Sequence, residues 1–248
     1  MIDLSFIIIN YNSRKYIKNC LKSCINQKTK FNYEIILVDD ASTDKSLKEI
    51  INFKSKMLRI FRNKKNIGIE KTSNFGFKKA KGKCICRVDS DDKVKSNFVE
   101  VMLKNFNNKY SFLYSNYNII NSAGKLIKKK ELPQFDNNEI LSRGDFLATG
   151  TVYNKNVLKK INYYNTKTKN CGLENFELIL KLILKNHIGF RINKFLFSLR
   201  KHSKNMSRIK KKSIIYYGGK VMKKMKLGNY STNSNHPSYI WEKKYRYV

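Results

Sequence analysis

Four short apolar runs constrain this chain more than any other feature. Residues 4–9 (Leu-Ser-Phe-Ile-Ile-Ile), 33–38, 58–61 and 84–88 are apolar on both strand faces, the pattern of strands covered on each side by helices. Helical patterns lie between them. Ser13 can open a helix to about Gln27 that carries Tyr16, Ile17, Cys20, Leu21 and Cys24 at helical spacing. A capping residue in 39–44 can open a second helix through Leu47, Ile50 and Ile51, and 70–81, bounded by Gly68 and Gly82, reads as a third. Alternation of this kind predicts a parallel α/β sheet with right-handed crossovers. Ligands of such sheets bind beyond the carboxyl ends of the strands, so Asn10-Tyr11, Asp39-Asp40 and Asp89-Ser90-Asp91-Asp92 should be neighbours in space.

The last of these groups is an electrostatic oddity. Three carboxylates, Asp89, Asp91 and Asp92, crowd into four positions of a chain with 18 acidic and 52 basic residues. Like charges this close repel and raise one another's pKa unless a cation sits among them. The formal net charge of +34 favours polyanionic partners in general, but its lysines are spread along the whole length, so charge alone selects no function. A nucleic-acid-binding protein would explain the charge and leave unexplained the buried strands that end in carboxylates, which repel phosphates. Nucleic acid is therefore not an expected partner.

Five cysteines, Cys20, Cys24, Cys84, Cys86 and Cys171, fall mostly inside apolar segments, the pattern of reduced, buried thiols in a cytoplasmic protein. None has the Cys-x-x-Cys spacing of a zinc or redox site. The start of the chain has no basic n-region and its apolar run is too short for a signal peptide, and no stretch approaches the ~20 apolar residues of a membrane span.

Beyond Asn97 a helix with Phe98, Met102, Leu103 and Phe106 leads to a strand over 111–120, a turn at Asn121-Ser122-Ala123-Gly124 and a return strand over 125–130. Residues 133–142 read as polar loop and 146–153 as a short strand or loop. The clearest late helix is 172–186, followed by one or two strands over 188–199. Over 209–227, Ile214, Tyr217, Val221 and Met225 share one helical face with lysines elsewhere, a basic amphipathic helix weakened at Gly218-Gly219.

Several of these segments resemble one family. Ser5-Phe6-Ile7-Ile8-Ile9-Asn10-Tyr11-Asn12 is similar to the opening strand of family-2 glycosyltransferases, and Glu34-Ile35-Ile36-Leu37-Val38-Asp39-Asp40-Ala41-Ser42-Thr43-Asp44 to their second strand and acidic turn. Asn66-Ile67-Gly68, Asn74-Phe75-Gly76 and Ala80-Lys81-Gly82 resemble the connecting segment, and Val88-Asp89-Ser90-Asp91-Asp92 the metal-binding Asp-x-Asp element. Four elements in the right order are far more specific than one Asp-x-Asp. The resemblance implies a GT-A fold, a mostly parallel central sheet flanked by helices, with a nucleotide-binding half over 1–95 and an acceptor-binding half over 96–207. The basic amphipathic pattern adds a C-terminal helical extension over 208–248.

The implied activity is transfer of a sugar from a nucleotide-diphosphate donor, a UDP-sugar, to a hydroxyl of a glycan or lipid-linked acceptor. The diphosphate is a poor leaving group until its charge is neutralised, which a hard cation such as Mn2+ or Mg2+ does without a proton. Asp91 is the expected metal ligand, and the resemblance places Asn10, Tyr11, Asp39, Asn66, Asp89 and Ser90 at the donor. Tyr11 offers a face for the base, Asp39 an acceptor for a pyrimidine ring N–H, and Asp89 lies near the ribose and diphosphate. Asp92 either ligates through water or caps the following helix, and Asp40 either joins the site or caps its own helix.

Gly172-Leu173-Glu174-Asn175-Phe176-Glu177-Leu178 resembles the family's Glu-Asp-x-Glu-Leu segment, with Asn175 where an Asp is usual. A carboxamide accepts no proton, so Glu174 becomes the expected catalytic base, with Glu177 second; the plainer reading is a helix-start charge. An acidic residue there suits single displacement, hence inversion. Leu199-Arg200-Lys201-His202-Ser203-Lys204-Asn205-Met206-Ser207 resembles the late Arg-x-His-x-x-Asn-x-Ser element, which makes His202 a second metal ligand or a diphosphate contact. A nucleotidyltransferase would share the sheet and the aspartates, but presents a glycine-rich basic loop after its first strand, unlike Asn10-Tyr11-Asn12-Ser13. The basic C-terminal helix is expected either to attach to anionic lipid, which makes the protein peripheral on the inner face of the cytoplasmic membrane, or to pack against the catalytic domain.

Overall fold

A computed structural model describes residues 1–137, 141, 149–167 and 170–228. Its sheet has nine strands. The N-terminal half is as the apolar runs predict: β1 (Leu4–Asn10), β2 (Tyr33–Asp39), β3 (Leu58–Arg62) and β4 (Cys84–Asp89) lie in the order β3-β2-β1-β4, all parallel. Every residue of β1 and β2 is buried, which is why neither alternates polar with apolar. The helices α1 (Arg14–Ile25) and α2 (Ile69–Lys79) connect β1 to β2 and β3 to β4. Close approach of α2 to the sheet requires Gly76, because a Cβ there would lie 2.4 Å from the Ile7 side chain.

Two N-terminal details differ from expectation. Between β2 and β3 there is only a single 3-10 turn, Ser46–Glu49, because Lys45 at φ 64° breaks the path from 39–44 into a helix. Ser13 makes no side-chain cap for α1; the Arg14 N–H donates instead to Asp44 Oδ2 at 2.8 Å.

The C-terminal half is mixed. The two-residue β5 (Lys93–Val94) precedes α3 (Phe98–Lys104); β6 (Phe112–Ile120) and β7 (Leu126–Lys130) form the predicted hairpin, and β8 (Val152–Asn154) leads into the six-residue α4 (Lys155–Lys160). After α5 (Glu174–Ile183), β9 (Gly189–Arg200) is one long strand. β8 joins the halves, antiparallel to both β4 and β6, and β9 then runs parallel to β6. β4, β6 and β9 therefore point the same way, and Asp89, Ile120 and Arg200 share the carboxyl edge with Asn10 and Asp39. The expected element over 146–153 falls partly outside the described residues.

One helical turn, α6 (Met206–Ile209), precedes α7 (Lys211–Lys224), which runs unbroken through Gly218-Gly219. The apolar face of α7 is turned inward, with Ile214 and Met222 in the main core and Tyr217, Val221 and Met225 packed against it. Packing against the domain thus uses the stripe that a membrane-inserted helix would have exposed. Lys212, Lys220, Lys223 and Lys224 stay outside. No described helix is long and apolar enough to cross a membrane.

Candidate functional site

Strand order reverses between β1 and β4, and the carboxyl ends of those strands open the crevice in which parallel sheets take ligands. On its nucleotide side, Asn10 and Asp39 end adjacent strands in register. Asn10 Nδ2 donates to Asp39 Oδ1 at 2.6 Å, and Ser42 supplies its hydroxyl to the same oxygen at 2.5 Å and its N–H to Oδ2 at 3.0 Å. Arg62 Nε, on a more exposed side chain, reaches Asp39 Oδ2 at 3.4 Å. The Asp39 carboxylate is wholly buried with all four acceptor directions in use, so only the exposed Arg62 is placed to yield one to an incoming ring N–H. Tyr11, 49% exposed, leaves its ring free beside this point.

Asp40 neither caps a helix nor faces the crevice. It accepts the N–H groups of Ile67 and Gly68, each at 2.9 Å, and Asn63 Nδ2 at 2.8 Å, which fixes the loop carrying Asn66. Asn66 Nδ2 in turn reaches the Asp40 carbonyl at 3.4 Å.

At the end of β4 the chain turns sharply, the Asp92 N–H donating to the Asp89 carbonyl at 2.9 Å, and the aspartates separate in role. Asp92 is buried: Oδ1 accepts the Arg200 N–H and Oδ2 the Thr149 hydroxyl, both at 2.8 Å. It ties the turn to β9 and does not cap the following helix, which begins at Phe98 after Asn97. Burial, with the charges of Asp91 and Asp89, pushes its carboxyl well above the usual range. Ser90 is also buried in the turn.

Asp91 projects toward the rim, where the Asp89 side chain is also partly exposed. Asp91 Oδ2 lies 2.9 Å from His202 Nε2 and 3.3 Å from Asn205 Nδ2, and the Asp91 carbonyl accepts from Arg200 Nε at 2.8 Å. Carboxylate and imidazole, 111 residues apart in sequence, are thus brought together with side chains 20% and 13% exposed. With Nδ1 accepting the Lys204 N–H at 3.1 Å, Nε2 carries the ring proton and donates it to Asp91. A cation would take that proton's place as the proton moves to Nδ1, and one hard oxygen with one imidazole nitrogen at the rim would then suit Mn2+ or Mg2+ completed by ligand oxygens.

Behind this pair lies an ion network that no sequence motif announces. Arg87, two positions before Asp89 on the same strand face, is buried; its Nε lies 3.1 Å from Asp89 Oδ1, and its Nη1 donates to Glu174 Oε1 at 2.9 Å and contacts the Tyr164 hydroxyl at 3.3 Å. Burial works against the guanidinium charge, but Asp89, Tyr164 and Glu174 together raise its pKa well above the ordinary value. The Tyr164 hydroxyl donates to Asn175 Oδ1 at 2.6 Å. Glu174, at the start of α5, keeps Oε2 buried and without a hydrogen-bond partner.

Glu177 is one turn further along α5 and faces elsewhere. It accepts from Asn165 Nδ2 at 2.8 Å and lines a cavity of about 160 Å³ against α7, with Tyr217, Lys220 and Lys224. The structure therefore brings Asn10, Asp39, Asp89, Asp91, Glu174 and His202 to one edge and leaves Glu177 outside.

Among the described residues, Glu70, Cys171 and Glu174 bring ligand atoms within 4.8 Å of one another. Glu70 already accepts the N–H groups of Asn170 and Cys171 at 2.8 and 2.9 Å, and Glu174 is charge-paired with Arg87, so this cluster is held by donors and requires no cation. All five cysteines are buried free thiols, as their apolar settings predicted, and burial pushes Cys84 up to about 12.

Residues 5–173 match the family described as Glycosyl transferase family 2. A protein of Haemophilus influenzae described as an uncharacterized glycosyltransferase is 36% identical over 129 residues, 50% of this chain and 51% of the relative. The UDP-Glc:alpha-D-GlcNAc-diphosphoundecaprenol beta-1,3-glucosyltransferase WfgD of Escherichia coli is 29% identical over 188 residues, 75% of this chain and 63% of that enzyme. The chain thus spans about half to three-fifths of the length of these two relatives.

Among solved structures, the Staphylococcus aureus protein TarS, residues 1–349, in complex with UDP-GlcNAc superposes with a TM-score of 0.63 at 21% identity, covering 83% of this chain and 61% of that one. The mannosyltransferase PcManGT of Pyrobaculum calidifontis, in complex with GDP-Man and Mn2+, gives 0.66 at 12% identity, covering 89% and 64%. These likenesses show a shared fold, the GT-A arrangement of a mixed, curled sheet flanked by helices.

Proposed function

The chain belongs to glycosyl transferase family 2, and from that premise we propose that it transfers a sugar from a UDP-sugar to a hydroxyl of a glycan or lipid-linked acceptor, with inversion at the transferred carbon. The observation that carries the reading is the meeting of Asp91 with His202 beside Asp89, at the edge where Asn10 and Asp39 also end. Asp39 and Tyr11 hold the base, Asn66 and Ser90 shape the walls, and Asp89 sits nearest the ribose and diphosphate. Asp91 and His202 would hold Mn2+ or Mg2+, which when bound neutralises charge on the departing diphosphate. The Mn2+ in the mannosyltransferase complex is consistent with that assignment.

Glu174 is the base. Arg87 fixes Oε1 and so orients the carboxylate, while the unpartnered Oε2 is left to take the proton of the acceptor hydroxyl. Asn175, engaged by Tyr164, supplies no proton acceptor and braces Arg87 through that hydroxyl. The lysine face of α7 provides an electrostatic route to an anionic membrane surface that carries the acceptor.

A thermal-shift panel of nucleotide sugars, with and without Mn2+, tests donor and metal together. Stabilisation by a UDP-sugar that grows with Mn2+ in the wild type, and loses only the Mn2+-dependent part in Asp91→Ala, is expected. Indifference to every nucleotide sugar would overturn the reading.

A further inference from the structure

His202 follows β9 in a short irregular segment, so no regular hydrogen-bonded element sets its side chain. Its backbone N–H donates to Asn205 Oδ1 at 2.6 Å, and its imidazole Nδ1 accepts the Lys204 N–H at 3.1 Å. Those contacts hold the ring at its edge; its face is held by an aromatic ring from the other end of the chain. Tyr16, in the first turn of α1, stacks on the imidazole with centroids 5.1 Å apart and planes 28° from parallel. The same ring lies under the Arg200 guanidinium, 4.8 Å from its carbon to the centroid.

Arg200 is itself buried and holds the Asp91 carbonyl through Nε and the Asn121 and Ser122 carbonyls through Nη1. One tyrosine therefore touches the residue that faces the Asp91 carboxylate and the residue that grips its backbone. The helix bearing it is anchored on the nucleotide side, because Asp44, in the turn after Asp39, accepts the Arg14 N–H.

We propose that Tyr16 is a positioning residue, an aromatic platform that sets the ring plane of His202 and the guanidinium of Arg200 so that Asp91 and His202 present their donor atoms to a single divalent cation. This rests on the metal reading given above. The work is done by the ring face: stacking and cation–π contact are both interactions of the π system and need no hydroxyl. Groups that orient metal ligands change affinity by roughly 10–100-fold when removed. Tyr16 lies on a helix surface outside the core, so its replacement leaves the core intact.

The test compares the wild type with Tyr16→Phe, Tyr16→Leu and Tyr16→Gln by the electron paramagnetic resonance signal of free Mn2+, titrated with and without UDP, alongside the melting temperature of each. Wild type and Tyr16→Phe should bind alike, and both non-aromatic variants about tenfold more weakly, at nearly unchanged melting temperature. Equal Mn2+ affinity in all four proteins overturns the inference while the metal reading stands. A wild type that binds no Mn2+ overturns both, and a Tyr16→Phe as weak as Tyr16→Leu overturns the platform by assigning the effect to the hydroxyl.

Discussion

Arg87 Nη1 donates to Glu174 Oε1 at 2.9 Å with both side chains at least nine-tenths buried, while Arg87 Nε stands 3.1 Å from Asp89 Oδ1. One cation thus answers two carboxylates from opposite halves of the chain, one at the donor edge of β4 and one at the start of α5. Removal of the cation strands both.

Arg87→Met should therefore destabilise the fold by about 3–5 kcal/mol at pH 7, the usual cost of breaking a buried pair from one side. Burial, with Asp91 and Glu174, already pushes the Asp89 carboxyl up to about 6 although Arg87 pulls it down. A carboxyl raised in the folded state penalises stability above its folded pKa and ceases to do so once protonated. Loss of Arg87 raises the Asp89 carboxyl further, so the Asp89 part of the Arg87→Met deficit is full above that higher value and should fade as pH falls toward the wild-type value of about 6. Urea midpoints of the variant and wild type at pH 7.5 and 5.5 measure it, and a deficit that widens on acidification contradicts the pairing.

Glu174→Gln and Glu177→Gln separate the two acidic residues of α5. The carboxamide introduced by Glu174→Gln keeps the side-chain shape and can still accept from Arg87, but it accepts no proton, so turnover should fall about 10²–10⁴-fold with UDP binding retained. Glu177 lies against Asn165 and the α7 cavity, and its variant should keep turnover within about threefold, as for a group outside the reacting centre. Single-turnover transfer assays with calorimetric UDP binding decide. Loss of turnover in Glu177→Gln alone would move the base one turn along the helix.

Away from the site, Glu34 joins three elements: Oε1 accepts the Ser5 hydroxyl at 2.7 Å and the Lys81 N–H at 2.6 Å, and Oε2 accepts Arg59 Nη2 at 2.7 Å. Burial alone would raise its pKa, but the Lys81 amide, the Ser5 hydroxyl and Arg59 outweigh it, and the net shift is downward. A lowered folded pKa contributes stability that is complete above the unfolded value and is lost as pH falls through the folded one. Glu34→Gln should cost about 1.5–3 kcal/mol at pH 7, the range for hydrogen bonds to a charged group. That cost should fade on acidification below the model-peptide value of about 4.3. Denaturant midpoints between pH 7 and pH 3.5 check it; a cost independent of pH would show that the charge is not what is being lost.

The parallel half was legible because β1, β2 and nearly all of β4 are buried on both faces, which leaves apolar runs too short for a helix; the edge strand β3 is only partly buried. The edge residues Asn10, Asp39 and Asp91 followed from where those runs stop. Hidden from the sequence were the relationships between distant segments. Arg87 and Asp89 share a strand face and could have been paired from spacing, but Glu174 lies 87 positions away, as remote in kind as Tyr16 is from His202. The 3-10 turn at Ser46–Glu49 turns on a left-handed Lys45, which has no compositional mark, and α4, with six residues, is too short to show a period. The apolar stripe of α7 was read correctly as a stripe; nothing in a one-dimensional pattern says whether lipid or the protein's own core covers it.

The Asp39 site yields the last prediction. Its carboxylate receives Asn10, the Ser42 hydroxyl, the Ser42 N–H and Arg62, and three of those donors are locked by burial while the Arg62 side chain is 60% exposed. A pyrimidine ring N–H can reach Asp39 only by displacing Arg62, so the guanidinium covers the acceptor and binding uncovers it. The pair is long at 3.4 Å and exposed on its Arg62 side, and the buried carboxylate keeps three other donors, so its removal should cost only about 0–1 kcal/mol and leave the melting temperature nearly unchanged. Arg62→Gln should then bind uridine about two- to fivefold more tightly than the wild type, the equivalent of the released pair at about 1.4 kcal/mol per tenfold. Asp39→Asn, which replaces one acceptor oxygen by a donor, should lose uridine binding altogether. Uridine is the right probe because it carries no phosphate for Arg62 to attract, and weaker uridine binding in Arg62→Gln would show that the guanidinium contacts the base instead of yielding to it.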